Sequence, residues 1–290
     1  AGLSFAPTGG YYGPASVQIT TDDLGQSGSG GGQTDTDTIL INVAQPNPSI
    51  TGVASSSANG AYKMGDTVHI TITYDQAVTV SGGVPTLLLE TGANDRLAVY
   101  VSGSGTNTLT FAYVVQAGDH STDLDYVGSA ALSLNGASIA SVSLGNPAFT
   151  ALPTPGAADS LSTNAAIVID GVAPTITSVD VPTAATYTLG QTLDFTVNFA
   201  EAVAVDTTGG TPRLTIALDT GGTAYANYIS GSGTTSLVFQ MVVASGQVDL
   251  TGITVGALQA HGGVLRDQAG NNAELGLHGI AATNGVKIDA

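Results

Sequence analysis

The chain has 290 residues, no cysteine, and a formal net charge of −17 from 22 acidic and 5 basic side chains. So acidic a surface excludes nucleic acid and anionic membrane as partners, because both are held by Lys and Arg, and the missing cysteine excludes disulfide staples, zinc–thiolate sites and thiol chemistry. Aromatic residues make up only 6%, without Trp, and Gly reaches 39 residues beside abundant Thr and Ser, a mixture that disfavours long helices and suits the thin Val/Ile/Leu/Tyr/Phe cores of an all-β, modular protein.

Residues 1–46 contain "GLSF", "ASVQITTDD" and "DTILINVA", which read as three strands around the Gly-rich loop "LGQSGSGGGQT". Three strands leave long edges unpaired and cannot close a sandwich. The segment is therefore expected to be the C-terminal part of a domain. Asp22 and Asp23 end one strand, and Asp35 and Asp37 begin its partner. A hairpin brings the two pairs near each other, as a cation site or as a Gly-flexible solvated loop.

From residue 47 onward the chain repeats itself. "YKMGDTVHITITYDQAVTV" (62–80) returns as "YTLGQTLDFTVNFAEAVAV" (187–205), "GGVPTLLLE" as "GGTPRLTIA", "YVSGSGTNTLTF" (100–111) as "YISGSGTTSLVF" (228–239), and "NAAIVIDG" as "NGVKIDA". Period-two alternation puts Val68, Ile70, Ile72 and Tyr74 on one strand face and His69, Thr71 and Thr73 on the other; Leu193, Phe195, Val197 and Phe199 repeat the pattern. Short strands separated by Gly, Asn and Pro turns predict two immunoglobulin-like β-sandwiches in tandem, residues 47–172 and 173–290, forming an elongated array. "SGSG" is then the turn between two sandwich strands, where Gly supplies positive φ.

The run "GDTVHITITYDQAVTVSGGVPTLLLETGANDRLAVYVSGSGTNTLTFAYVVQAGDHSTDLDY", with "LPTPGAADSLSTNAAIVIDG" and "RDQAGNNA", resembles the tandem bacterial Ig-like repeats of very large secreted surface proteins, including RTX-type adhesins exported by type I systems. "YYGPASVQITTDDLGQSGSGGGQTDTDTILINV" resembles the end of a cadherin-like repeat of the same kinds of protein. The resemblance covers residues 47–290 most closely. It implies an extracellular, calcium-rigidified stalk that holds an adhesive tip away from a cell surface.

The acids number 19 Asp and 3 Glu and sit mostly in Gly/Thr/Asn-rich loops. Each is either a turn former or an oxygen ligand for a hard cation. Strand order sends "IDGVAPT" with Asp170, "FAEAV" with Glu201 and "RDQAGNN" with Asp267 to one pole between the sandwiches, with Asn271 as a carbonyl donor. The "AGDHSTDLDY" turn, with Asp119, Asp123 and Asp125, approaches from the preceding domain. Calcium takes six to eight oxygens in flexible geometry, so a junction calcium site is expected. At the first junction "VAQPNPSI" lacks an acid and "SVSLGNPA" replaces the "RDQAGNNA" loop, leaving Asp75. A weaker or absent ion, and more bending, are expected there.

No catalytic motif emerges. His69, His120, His261 and His278 lack HExxH spacing, and there is no GxSxG elbow, GxGxxG turn or Walker loop. Tyr62, Tyr74, Phe199 and Phe239 have core assignments, which leaves few aromatics to stack a sugar. No apolar run approaches the length of a membrane span, and "AGLSFAPTGG" is not a signal peptide. The expected partners are neighbouring repeats of the same protein or, if the first segment is completed by strands of another chain, further copies in a fibre.

Overall fold

The computed structural model describes residues 4–26 and 29–290, and its regular secondary structure is almost entirely β-strand. Among the described residues one short helix, Leu161–Asn164, interrupts them, and no helix is long and apolar enough to cross a membrane.

Strands Gly13–Asp22 and Thr34–Val43 form an antiparallel hairpin in register from Gly13↔Val43 to Asp22↔Thr34. It has two strands, not the three expected. Of "GLSF", Gly2 and Leu3 lie outside the described residues, while Ser4 and Phe5 lie in no strand; Pro7 cannot donate to a ladder, and Thr8 and Tyr11 close a turn just beyond it. No hydrophobic side chain described in this segment is buried: Ile19, Ile39 and Leu40 are 38%, 47% and 83% exposed.

The buried side chains form two clusters, one between Val53 and Ile169 and the other between Ile176 and Ile288. Each cluster is covered by its own pair of sheets, built to the same plan. In the first, a large antiparallel sheet is organised around the long strand Thr67–Gly82, and a small sheet pairs Ile167–Asp170 parallel with Gly60–Lys63 and antiparallel with His120–Ser121. In the second, Thr192–Asp206 takes the central place, and Val286–Asp289 pairs parallel with Ala185–Tyr187 and antiparallel with Val248–Asp249. The alternation is realised in both: Val68, Ile70, Ile72, Leu193, Phe195 and Val197 are fully buried, and the side chains between them face outward.

The repeated "SGSG" does more than reverse the chain. Gly103 and Gly231 have φ of 110° and 103°, and a Cβ on either would stand 2.1 Å from the carbonyl oxygen of Thr108 or Ser236, so only glycine fits. Ser104 accepts from the Val80 amide at 2.9 Å and Ser232 from the Val205 amide at 2.8 Å, while the tyrosine four residues earlier accepts from each serine's own amide. Those tyrosines meet a core phenylalanine edge-on, Tyr100 with Phe111 at 5.9 Å and Tyr228 with Phe239 at 5.8 Å, a favoured ring geometry. The turn thus ties the second half of each long strand to the sheet.

Both long strands break register midway, between Thr73 and Val78 and between Asn198 and Val203. Such irregularities leave residues out of the ladder and re-aim their side chains. They put 74–77 at the first junction and 199–202 at the second.

Candidate functional site

Three elements meet at the second junction. Asp170 is the last residue of Ile167–Asp170, Glu201 lies in the irregular stretch of Thr192–Asp206, and Asp267 follows Val264–Arg266. One carboxylate oxygen from each lies within 4.8 Å of the others, the only such group of three or more His, Cys, Asp or Glu among the described residues.

The linker that carries Asp170 is docked on both sides. Gly171 donates to the Asp119 carbonyl at 2.7 Å and accepts from the Gly118 amide at 2.9 Å; Pro174 and Thr175 accept from the amides of Glu274 and Ala200 at 2.8 and 2.9 Å. A Cβ at 171 would sit 2.2 Å from the Gln116 carbonyl oxygen, which accounts for glycine there.

Asp267 organises its own loop. Its Oδ1 accepts from the amides of Gly270 and Asn271 at 2.6 and 2.8 Å, and its Oδ2 from Asn271 Nδ2 at 2.8 Å. Asp267 is 4% exposed, whereas Asp170 and Glu201 are half-buried. No basic side chain lies within ion-pair distance of the three; the ion pairs among the described residues are Lys63–Asp66 and Arg96–Asp119. Loss of solvent, then the charges of Asp170 and Asp267, push the Glu201 carboxyl above its ordinary value. Like charges about 4 Å apart repel by about 1 kcal/mol in water and about 4 kcal/mol at a partly buried site. A proton on Glu201 or a hard cation relieves that repulsion, and the all-oxygen donor set suits the latter.

Asn271 joins the group through nitrogen. Its Nδ2 donates to the Asp170 carbonyl at 2.7 Å as well as to Asp267, and its Oδ1 accepts from the Met64 amide at 3.0 Å. The carbonyl assigned to a cation is thus engaged in binding the two sandwiches to each other. Repeat spacing places Met64 in the turn after Lys63, but nothing in its side chain marks a role played by its backbone.

The acids of the preceding domain are placed differently from expectation. Asp119 is 1% exposed and points inward: Arg96 Nε donates to Oδ1 at 2.7 Å, and Tyr113 Oη and the Gln116 amide donate to Oδ2 at 2.6 and 2.9 Å. Asp125 accepts from Ser162 Oγ and the Gly156 amide at 2.7 and 3.0 Å, which ties the short helix to the sheet, and Asp123 is exposed. None of these three belongs to the Asp170 group.

At the first junction Asp75 accepts from the Ser49 amide and hydroxyl at 3.0 and 3.1 Å. The repeat aligns it with Ala200, so that Gln76, not Asp75, holds the place of Glu201. In the hairpin, Asp22 accepts from the Leu24 amide at 2.8 Å and Asp23 from those of Gly25 and Gln33 at 2.9 and 2.8 Å. Asp35 and Asp37 stand opposite Thr21 and Ile19. Asp22 pairs with Thr34, so the two-residue period turns its side chain to the other face of the hairpin from Asp35. The four do not form a group like that of Asp170.

Compared with protein-family models the chain matches none, and no curated protein matches it.

Proposed function

We propose that this chain is a non-catalytic extender of a secreted bacterial surface adhesin, made of tandem immunoglobulin-like sandwiches, in which calcium at the second junction stiffens the joint. The observation that carries this reading is the convergence of Asp170, Glu201 and Asp267 from linker, strand irregularity and loop, with no ion pair to any of them: Lys63, the strand neighbour of Asp170, pairs with Asp66 instead. Three carboxylates held together by a docked linker resist motion only when their mutual repulsion is neutralised, and an ion bridging both domains does so while restricting the hinge. The likeness of residues 47–290 to bacterial Ig-like repeats supplies the extracellular setting. Calorimetric titration of the whole chain with calcium tests the reading: one site is expected, lost in Glu201→Gln/Asp267→Asn, and a flat titration at millimolar calcium overturns it.

A second reading draws on the hairpin. Its apolar side chains Ile19 and Ile39 are exposed and both its edges are free of further strands among the described residues, and a two-stranded hairpin is at best marginally stable in water. Strands of another copy would complete it and build a fibre. Light scattering that grows with protein concentration supports this reading, and a constant monomer mass rejects it.

A further inference from the structure

On the side of the following sandwich, the first junction repeats the backbone frame of the second. Pro48 and Ser49 accept from the amides of Phe149 and Asp75 at 2.8 and 2.9 Å, as Pro174 and Thr175 do from those of Glu274 and Ala200 at 2.8 and 2.9 Å. Asn146 Nδ2 donates to the Gln45 carbonyl at 2.7 Å, as Asn271 Nδ2 does to the Asp170 carbonyl at 2.7 Å. Ser141 donates its amide to the Asn146 carbonyl at 2.8 Å, as Asp267 does to that of Asn271 at 3.1 Å. By these bonds Gln45 and Ser141 occupy the places of Asp170 and Asp267, and by the repeat register Gln76 occupies that of Glu201.

The substitutions change the chemistry of the joint. Carboxylates are acceptors only, so three of them cannot bond to one another without a proton or a cation. Amides and hydroxyls carry both donors and acceptors. Gln45 Nε2 donates to Gln76 Oε1, Gln76 Nε2 donates to the Pro46 carbonyl at 3.0 Å, and Gln45 Oε1 accepts from the hydroxyls of Ser141, at 3.2 Å, and Ser143. The set is neutral and mutually bonded.

We infer that the first junction is a metal-independent joint, locked by the Gln45–Gln76–Ser141–Ser143 hydrogen-bond network in the place where the second junction gathers carboxylates, so that the chain holds one constitutively fixed joint and one joint under cation control. This reverses the greater bending expected from the missing acids, because neutral groups that satisfy each other need no ion. The cation half rests on the proposed function; the locked half does not.

Distances between spin labels separate the two. The chain has no cysteine, so Ser16→Cys/Asn107→Cys labels report the first junction and Asn107→Cys/Thr223→Cys the second, all at exposed positions. Across the first junction the distance distribution is expected to be equally narrow in chelator and in millimolar calcium, and to broaden in both when Gln76→Ala is added. Narrowing by calcium there, or an unchanged width in Gln76→Ala, overturns the inference. A second-junction distribution that ignores calcium overturns the proposed function and leaves the locked joint standing. As a gain-of-function check, Gln45→Asp/Gln76→Glu/Ser141→Asp is expected to broaden the first junction in chelator and to restore its width with calcium; a triple variant as narrow in chelator as the parent counts against the network.

Discussion

Asn271 accepts a hydrogen bond from the backbone amide of Met64 at 3.0 Å, joining loops 207 residues apart and on opposite sides of the domain boundary. The same side chain donates to the Asp170 carbonyl and to the Asp267 carboxylate, at 2.7 and 2.8 Å, and it is 6% exposed. One neutral amide therefore holds the backbone of one clustered acid and the carboxylate of another, and latches the two sandwiches with no ion required.

Asn271→Ala leaves the Met64 amide and the Asp170 carbonyl without this partner. Buried groups left unpaired cost about 1–3 kcal/mol, and denaturant unfolding is expected to show that loss, with the two sandwiches unfolding less cooperatively than in the parent. Asn271→Asp retains an acceptor for Met64 but adds a fourth negative charge, so its deficit is expected to shrink when calcium is supplied.

The pH dependence of the metal-free chain follows from Glu201, whose carboxyl is raised above the ordinary 4.5 by desolvation and then by Asp170 and Asp267. A raised folded value means that the folded state binds the proton more tightly than the unfolded state, so this contribution is fully present below the unfolded value and is lost as pH rises through the folded one. In chelator, stability is expected to fall as pH climbs from 4.5 toward neutrality. Glu201→Gln is expected to flatten that slope, and so is calcium, which favours the ionised carboxylates. Denaturant midpoints across the range, with and without calcium, measure both.

Calcium itself is expected to raise the melting temperature of the second sandwich. A ligand at one hundred times its dissociation constant adds about 2.7 kcal/mol to the state that binds it. Differential scanning calorimetry should show the gain in the parent and its loss in Asp170→Asn/Glu201→Gln.

Arg96 and Asp119 test the opposite assignment. Asp119 is buried but Arg96 is only partly so, and Tyr113 and the Gln116 amide still donate to Asp119 without it, so Arg96→Met is expected to destabilise the first sandwich by about 1–3 kcal/mol while leaving the calcium titration unchanged. A change in calcium affinity would return Asp119 to the metal-binding set.

Gly171→Ala addresses the docked linker. The added Cβ meets the Gln116 carbonyl oxygen at 2.2 Å, a backbone contact that no rotamer relieves. The linker must shift, and a loss above about 1 kcal/mol is expected, with faster cleavage at residues 171–175 in limited proteolysis and unchanged protection of both sandwich cores.

What the sequence determined by itself is whatever local periodicity encodes. Alternation at Val68–Tyr74 and Leu193–Phe199 marked the buried faces, the two "SGSG" runs marked the turns, and strand order directed Asp170, Glu201 and Asp267 to one pole. The tertiary structure decided which way loop side chains turn: Asp119 inward to Arg96, Asp75 to Ser49, and Asn271 with its carbonyl toward Met64. The repeat itself sets Gln76 at the place of Glu201, but only the folded chain shows that Gln45 and Ser141 stand where the second junction has Asp170 and Asp267, because the loop from Ser141 to Asn146 is one residue longer than that from Asp267 to Asn271. The reason is physical. A strand's pleat fixes the face of every residue from its neighbours alone, whereas a loop side chain settles wherever a distant donor, acceptor or charge satisfies it, and that partner is known only once the chain has folded.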